Sequence, residues 1–209
     1  MLLVLTGITV VAGIALGYVH ALTLAPIEAA TKAKQEDAIK AVAPVFNNSP
    51  AEEKREVTLD DGSVITIFPA KMDGKEVGAA VETFSAKGFG GNIRIMVGFD
   101  QDGTIRNYSV LQHAETPGLG SKMQEWFCSE KGKQSILGKN PATANLTVSK
   151  DGGDVDAITA ATISSRAFLD AVQKAYQAYA GQTDGRSGST RQSHDGESGA
   201  TTKTEQVNE

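Results

Sequence analysis

With a single cysteine, Cys128, and only three scattered histidines, His20, His113 and His194, this sequence can form neither an internal disulfide framework nor a cysteine-based zinc site. It also lacks the basic excess of a nucleic-acid binder: 20 Lys and Arg stand against 25 Asp and Glu, a formal net charge of -5. Charge of either sign is missing from the start, where the first charged side chain is Glu28, and large apolar side chains are missing after Gly181, where only Val207 remains. The 209 residues are otherwise ordinary, 40% hydrophobic and 22% charged, which fits one core domain with attachments at both ends.

The uncharged start reads LLVLTGITVVAGIALGYVHAL from Leu2 to Leu22. At about 1.5 Å per residue it spans a hydrocarbon core of roughly 30 Å, so residues 1–25 are expected to be a transmembrane anchor. A cleaved signal peptide is the rival reading, with Val19-His20-Ala21 as its small-residue site, but the charged leading region is absent and the apolar run is long. Gly13 and Gly17 have the GxxxG spacing that lets a second helix approach. No Lys or Arg precedes the run while Lys32, Lys34 and Lys40 follow it, so the positive-inside rule would place the bulk of the chain in the cytoplasm. The run begins abruptly at Met1, and a basic segment before it would remove that argument.

Pro26 is expected to start a separate stalk helix that Pro44 stops, followed by a linker at Asn47-Asn48-Ser49-Pro50, so that residues 26–50 are stalk and linker. Val57-Thr58-Leu59, the Asp60-Asp61-Gly62 turn and Val64 to Phe68 make a hairpin pattern. Further strands are expected over 76–84, 93–99, 104–111 and 145–149; in the second of these Ile93, Ile95, Val97 and Phe99 share one face. Met123, Trp126 and Phe127 suggest a short amphipathic helix. Phe168, Val172, Ala175 and Tyr179 give residues 162–180 one buried helical stripe. The fold class is therefore α+β, an antiparallel sheet with flanking helices over residues 51–180, and residues 181–209 are expected to be a disordered tail.

One cluster carries candidate chemistry. Asp156-Ala157-Ile158-Thr159-Ala160-Ala161-Thr162-Ile163-Ser164-Ser165 puts four hydroxyls at the start of the last helix, after the loosening pair Gly152-Gly153. Unpaired N–H groups and the positive end of the helix dipole suit a phosphate there, and helix capping by Thr159 or Thr162 suits the same residues. His113-Ala-Glu115-Thr116-Pro117-Gly118-Leu119-Gly120 is a turn by composition, and its bare backbone also suits contact with a flat ring.

These residues resemble a known family. Asp156-x-x-Thr159-x-Ala161-Thr162 is similar to the Asp-x-x-(Ser/Thr)-Gly-Ala-Thr motif at which a flavin transferase attaches FMN to the last Thr, with Ala160 in the place of the usual Gly. The His113 to Gly120 run resembles the His-x-Glu-Thr-Pro-Gly-Leu-Gly loop of the same family, and Gly88-Phe89-Gly90-Gly91 its Gly-Tyr-Gly-Gly turn. Over residues 1–180 the sequence resembles the FMN-binding G subunit of the Rnf electron-transport complex, with the C subunit of the sodium-pumping NADH:quinone reductase as its near relative.

The resemblance implies an electron-transfer subunit rather than a stand-alone enzyme, in a membrane complex that moves electrons between reduced ferredoxin and NAD with ion transport. It implies covalent FMN on Thr162 as a phosphoester, a flavin transferase as maturation partner, and other complex subunits and the membrane as lasting ones. Asp156 and Thr159 would be recognition residues, with Ala161, Ser164 and Ser165 beside them. His113, Glu115, Thr116, Gly118 and Leu119 would lie over or beside the isoalloxazine. It places the domain on the extracytoplasmic side of the cytoplasmic membrane, against the charge rule. The C subunit of a sodium-pumping NADH:quinone reductase, a flavin-free anchored scaffold and a secreted binding protein are the other readings.

Overall fold

The computed structural model describes residues 1–188, and the part of the expected tail from 189 to 209 lies outside the described residues. The chain opens with one helix, α1 (Leu2–Val42), with Pro26 in its interior. A separate stalk helix beginning at Pro26 is thus corrected to a single continuous helix. Proline removes only one hydrogen bond, and Pro26 is exposed, so water is available for the freed carbonyl. The apolar side chains of this run, including Val10, Ile14, Leu16 and Leu22, touch little of the protein and are exposed. Among the described residues this is the helix long and apolar enough to cross a membrane. It ends because Pro44 forces the residue before it out of the α region: Ala43 is extended, at φ -70° and ψ 154°.

Five strands then form an antiparallel meander in chain order: β1 (Arg55–Thr58), β2 (Val64–Met72), β3 (Lys75–Ser85), β4 (Ile93–Asp100) and β5 (Ile105–Gln112). The period-two alternation of side chains splits them between two faces. Ile65, Ile67, Val81, Ile93, Ile95, Val97 and Phe99 are buried beneath α3 (Thr162–Gly188). Phe68, Ala70, Ala80 and Met96 point the other way and are buried beneath the last turns of α1, against Ala38, Ile39 and Val42. A sheet covered on both faces needs apolar side chains on both, and these strands supply them.

The α3 side holds the larger core. The buried face expected for this helix is present: Phe168, Val172 and Ala175 are fully buried and Tyr179 nearly so. Phe168 stacks on Phe127 with ring centroids 4.3 Å apart and meets Tyr108 edge-on at 5.0 Å. Tyr108 donates its hydroxyl to the Met123 carbonyl at 2.7 Å, which satisfies the one polar atom this cluster buries and pins α2 (Met123–Trp126) to β5.

Other boundaries also differ from expectation. The segment 145–149 is not a strand: apart from one parallel bridge, Val148 to Val155, its backbone bonds are local, closing a loop whose turn is Gly152 in the left-handed region. The outer edge of β5 is already taken, by the Gln124 side chain at the Val110 N–H and by the Gly138 and Lys139 backbone at Ile105, which leaves 145–149 no ladder to join. The Asn47-Asn48 stretch is bound rather than free. Asn47 N–H donates to the Lys71 carbonyl, and Asn48 accepts from Lys71 N–H and donates to the Pro69 carbonyl, so the pair covers the part of the β2 edge that the short β1 does not reach. Finally, α3 continues past Ala180 to Gly188 instead of dissolving at Gly181. No proline interrupts residues 181–188, and Gln182 accepts a hydrogen bond from Arg55.

Two glycines test this packing. A Cβ at Gly98 would lie 1.9 Å from the Val42 carbonyl oxygen, so α1 rests directly on the bare β4 backbone. Gly98→Ala is expected to lower the unfolding free energy by about 2 kcal/mol, read from urea denaturation. Gly181 has open space around its Cβ position, and Gly181→Ala is expected to raise stability by roughly 0.5 kcal/mol, because it removes a helix-interior glycine.

Candidate functional site

The three motif segments, far apart in sequence, meet at one open pocket of about 430 Å³. Phe89 comes from the turn before β4, Thr116, Leu119 and Gly120 from the loop after β5, and Ala160 to Ser164 from the entry to α3. What joins them is Glu115, which is only 5% exposed. One carboxylate oxygen accepts the Gly90 N–H at 3.0 Å and the other accepts the Ser164 hydroxyl. No described cation is paired with it, so these two donors and the surrounding backbone carry its desolvation.

Close approach around Glu115 explains the glycines. A Cβ at Gly120 would meet the Ser164 hydroxyl at 2.5 Å and a Glu115 oxygen at 2.8 Å, and one at Gly88 would meet the other Glu115 oxygen at 2.6 Å. The spacing in His113 to Gly120 therefore serves a buried carboxylate as much as a bare surface. His113 serves it too: its Nδ1 accepts the Glu115 N–H at 3.2 Å, which orients the loop and leaves His113 outside the pocket wall. Gly118 is exposed at φ +77°, as the left-handed turn residue that follows Pro117.

At the entry to α3 the hydroxyls divide by partner. Ser165 is fully buried and structural, accepting the Ile158 N–H and donating to the Ala161 carbonyl, each at 2.9 Å. Ser164 is 2% exposed and held by Glu115. Thr159 is exposed outside the pocket wall. Thr162, the first residue of α3, is half-buried in the wall, and its hydroxyl has no protein partner among the described residues. It stands where the unpaired N–H groups of a 27-residue helix emerge.

Asp156 is not in the pocket wall. Its carboxylate accepts the Lys133 N–H at 2.9 Å and the Ser149 hydroxyl at 2.8 Å, and the first of these, with the second, holds its pKa below the ordinary carboxylate range. Its carbonyl accepts the Trp126 indole N–H at 2.8 Å. Asp156 thus pins three loops together just before the helix entry, a positioning task. Sequence reasoning missed Phe89 and Ile163, which are 70% and 49% exposed and with Leu119, at 38%, make an apolar rim around Thr162. The available signal for Phe89 was a large side chain isolated among glycines, and for Ile163 an apolar residue beside Thr162 that the buried stripe does not use.

Residues 88–177, from the glycine turn to α3, match the FMN-binding domain family. The G subunit of the ion-translocating oxidoreductase complex of Erwinia tasmaniensis is 35% identical over 178 residues, which cover 81% of this chain and 80% of that protein. The chain belongs to this G-subunit family. The corresponding proteins of Aliivibrio fischeri and Salmonella typhi are 38% and 42% identical over 133 and 113 residues, matches in which the chain spans 60% and 53% of the relative's length. Within this family the pocket fits a flavin on local grounds. It offers an unengaged hydroxyl at a helix N-terminus for the phosphate end, and apolar side chains with bare glycine backbone for the ring.

The residue that departs from the family motif is strained. Ala160 has φ +60°, one of two non-glycine residues in the left-handed region among the described residues. That conformation costs an L-residue about 1–2 kcal/mol, part of which glycine would lose again through unfolded-state freedom. Ala160→Gly is therefore expected to raise the melting temperature by about 2 °C, checked by thermal denaturation. Glu115→Ala should cost about 2–3 kcal/mol because it strands the Gly90 N–H and the Ser164 hydroxyl. Glu115→Gln can still accept from Gly90 and donate to Ser164, and should cost less than half as much in the same urea experiment.

Proposed function

We propose that Thr162 carries FMN through a phosphoester. The observation that carries the assignment is the division of hydroxyls: Ser164 and Ser165 are buried and engaged, while Thr162 alone of the three faces the pocket without a partner. Attachment needs a flavin transferase with FAD as donor. The Thr162 oxygen would bond to the FMN phosphorus, the pyrophosphate linkage would break with loss of AMP, and the hydroxyl proton would pass to a base of the transferase. Thr159, exposed beside the entry, is available to that enzyme, whereas Asp156 acts by holding the entry in place.

The chain is an FMN-binding, electron-transfer subunit of an ion-translocating oxidoreductase complex, and its lasting partners are other subunits of that complex. FMN, when bound, supplies one-electron chemistry; the protein supplies placement and field. Phe89, Leu119 and Ile163 would shield the ring from water, and the Gly120 backbone leaves room at its edge. Glu115 lies behind the wall and contributes a negative charge without occupying ring space. We place residues 1–25 in the cytoplasmic membrane as the anchor, residues 26–50 as stalk, and the FMN domain, residues 51–180, on the extracytoplasmic side, with electrons passing between reduced ferredoxin and NAD across the whole complex.

The test is covalent flavin itself. The chain produced together with a flavin transferase should give a fluorescent band on a denaturing gel and a mass increment of one FMN on the peptide containing Thr162. Thr162→Ala should lose both and remain folded, since it deletes at most a cap of about 1 kcal/mol. Fluorescence that survives Thr162→Ala would move the attachment to Thr159, and a parent band without flavin would favour an anchored scaffold instead.

A further inference from the structure

The end of α1 is fastened to the sheet by polar groups as well as by its apolar face. Glu82, on β3, is only 8% exposed. One of its oxygens accepts the Gln35 side-chain amide at 2.6 Å, and the other accepts Arg94 from β4. One residue earlier on the helix, the Lys34 ammonium donates to the Leu111 carbonyl near the end of β5. Two turns further on, the Asn107 side chain donates to the Ala41 carbonyl at 2.9 Å. Lys34, Gln35, Glu82, Arg94 and Leu111 line an open cavity of about 260 Å³ between helix and sheet. Glu82 and Arg94 both belong to the sheet, so Gln35 is the donor this buried carboxylate loses if the helix separates, and the Lys34 and Asn107 bonds to the opposite element break with it.

The same contacts orient the domain. Asn107 lies against Ala41 and Leu111 against Lys34, so β5 runs back along α1 toward the apolar run. Ten residues, about 15 Å of helix, separate Leu24 from Lys34. At this end β5 leads into the His113 to Gly120 loop, and β4 begins just after the Gly88 to Gly91 turn. The first half of α3 is here too, because Asp170 accepts from Ser85 and Lys87, while Tyr179 in its second half donates to the Asp100 carbonyl at the far end. All three pocket segments therefore lie on the end of the domain nearest the membrane helix.

We propose that the Glu82 clamp joins the membrane helix and the FMN domain into one rigid body, with the mouth of the Thr162 pocket held toward the membrane surface. A domain meant to swing would need a free linker between anchor and core. Here α1 is continuous to Val42, and the next residues, Asn47 and Asn48, are bound to β2. Glu82, Gln35, Arg94 and Lys34 are positioning residues, acting on the pocket through β4 and β5. The redox partner is then met at the membrane surface without a domain excursion. This consequence rests on the flavin assignment, whereas the rigid geometry does not.

The clamp is tested with the full-length chain in lipid nanodiscs, in a Cys128→Ser background, with nitroxide labels at Leu24→Cys and Glu130→Cys. Pulsed dipolar spectroscopy should give one narrow distance distribution, the same with and without flavin attachment, so that failure of the flavin assignment is recognised separately. Glu82→Ala should at least double its width, and Glu82→Gln, whose oxygen can accept from Arg94 while its amide donates to a Gln35 amide turned over to accept, should leave it narrow. Should Glu82→Ala not fold, the paired Lys34→Ala and Gln35→Ala change opens the clamp from the helix side and should broaden it equally. For orientation, a label at Ile163→Cys should relax more strongly than one at Asp102→Cys when the nanodisc carries nickel-chelating lipid. A broad parent distribution, an unchanged width in the opened variants, or stronger relaxation at Asp102 would overturn the proposal.

Discussion

A carboxylate buried without a counter-charge must find its donors nearby, and in this protein that requirement shapes the candidate site. Glu115 draws its donors from two other segments, the Gly90 N–H and the Ser164 hydroxyl, and so brings the turn before β4 and the entry to α3 against the loop that carries it. Its neighbours are restricted in turn. Gly88 and Gly120 stand where any Cβ would strike it, and Ser164 is committed to it, which leaves Thr162 as the hydroxyl of the α3 entry that lines the pocket without a partner. The site is a consequence of satisfying one buried charge.

The two helices divide the remaining work because the sheet has two apolar faces. On one face the Phe127, Phe168 and Tyr108 cluster sets the position of α3, and with it the direction in which the helix N-terminus opens. On the other face the bare backbone of Gly98 and the side chains of Ala38, Ile39 and Val42 seat the end of α1. The sheet is thus the common reference for the candidate pocket and the N-terminal apolar helix.

Much of the fold was legible residue by residue. The alternation of Ile93, Ile95, Val97 and Phe99 identified a strand with one buried face, and all four are fully buried. The stripe of Phe168, Val172, Ala175 and Tyr179 identified the final helix. The errors lie where local pattern competes with what is already in place. Residues 145–149 read as a strand, yet the β5 edge was occupied. Pro26 read as a helix start, yet a helix loses only one bond there. The Asn47-Asn48 stretch reads as a linker, yet it covers the strand edge left open by a four-residue β1.

For the site, the sequence by itself determined the inventory: an apolar run long enough for an anchor, a glycine-rich loop around Glu115, and hydroxyls grouped before a helix. Those features depend on composition and spacing, which are local. Only the tertiary structure decided the roles, because roles depend on neighbours distant in sequence. It turned Glu115 inward to Ser164, 49 residues away, sent Asp156 to Lys133 and Ser149 instead of the pocket, and brought Phe89 and Ile163 to the rim beside Thr162. A side chain's chemistry is written in its own identity, but whether it faces a pocket, a buried charge or solvent is set by the packing of the sheet between its two helices.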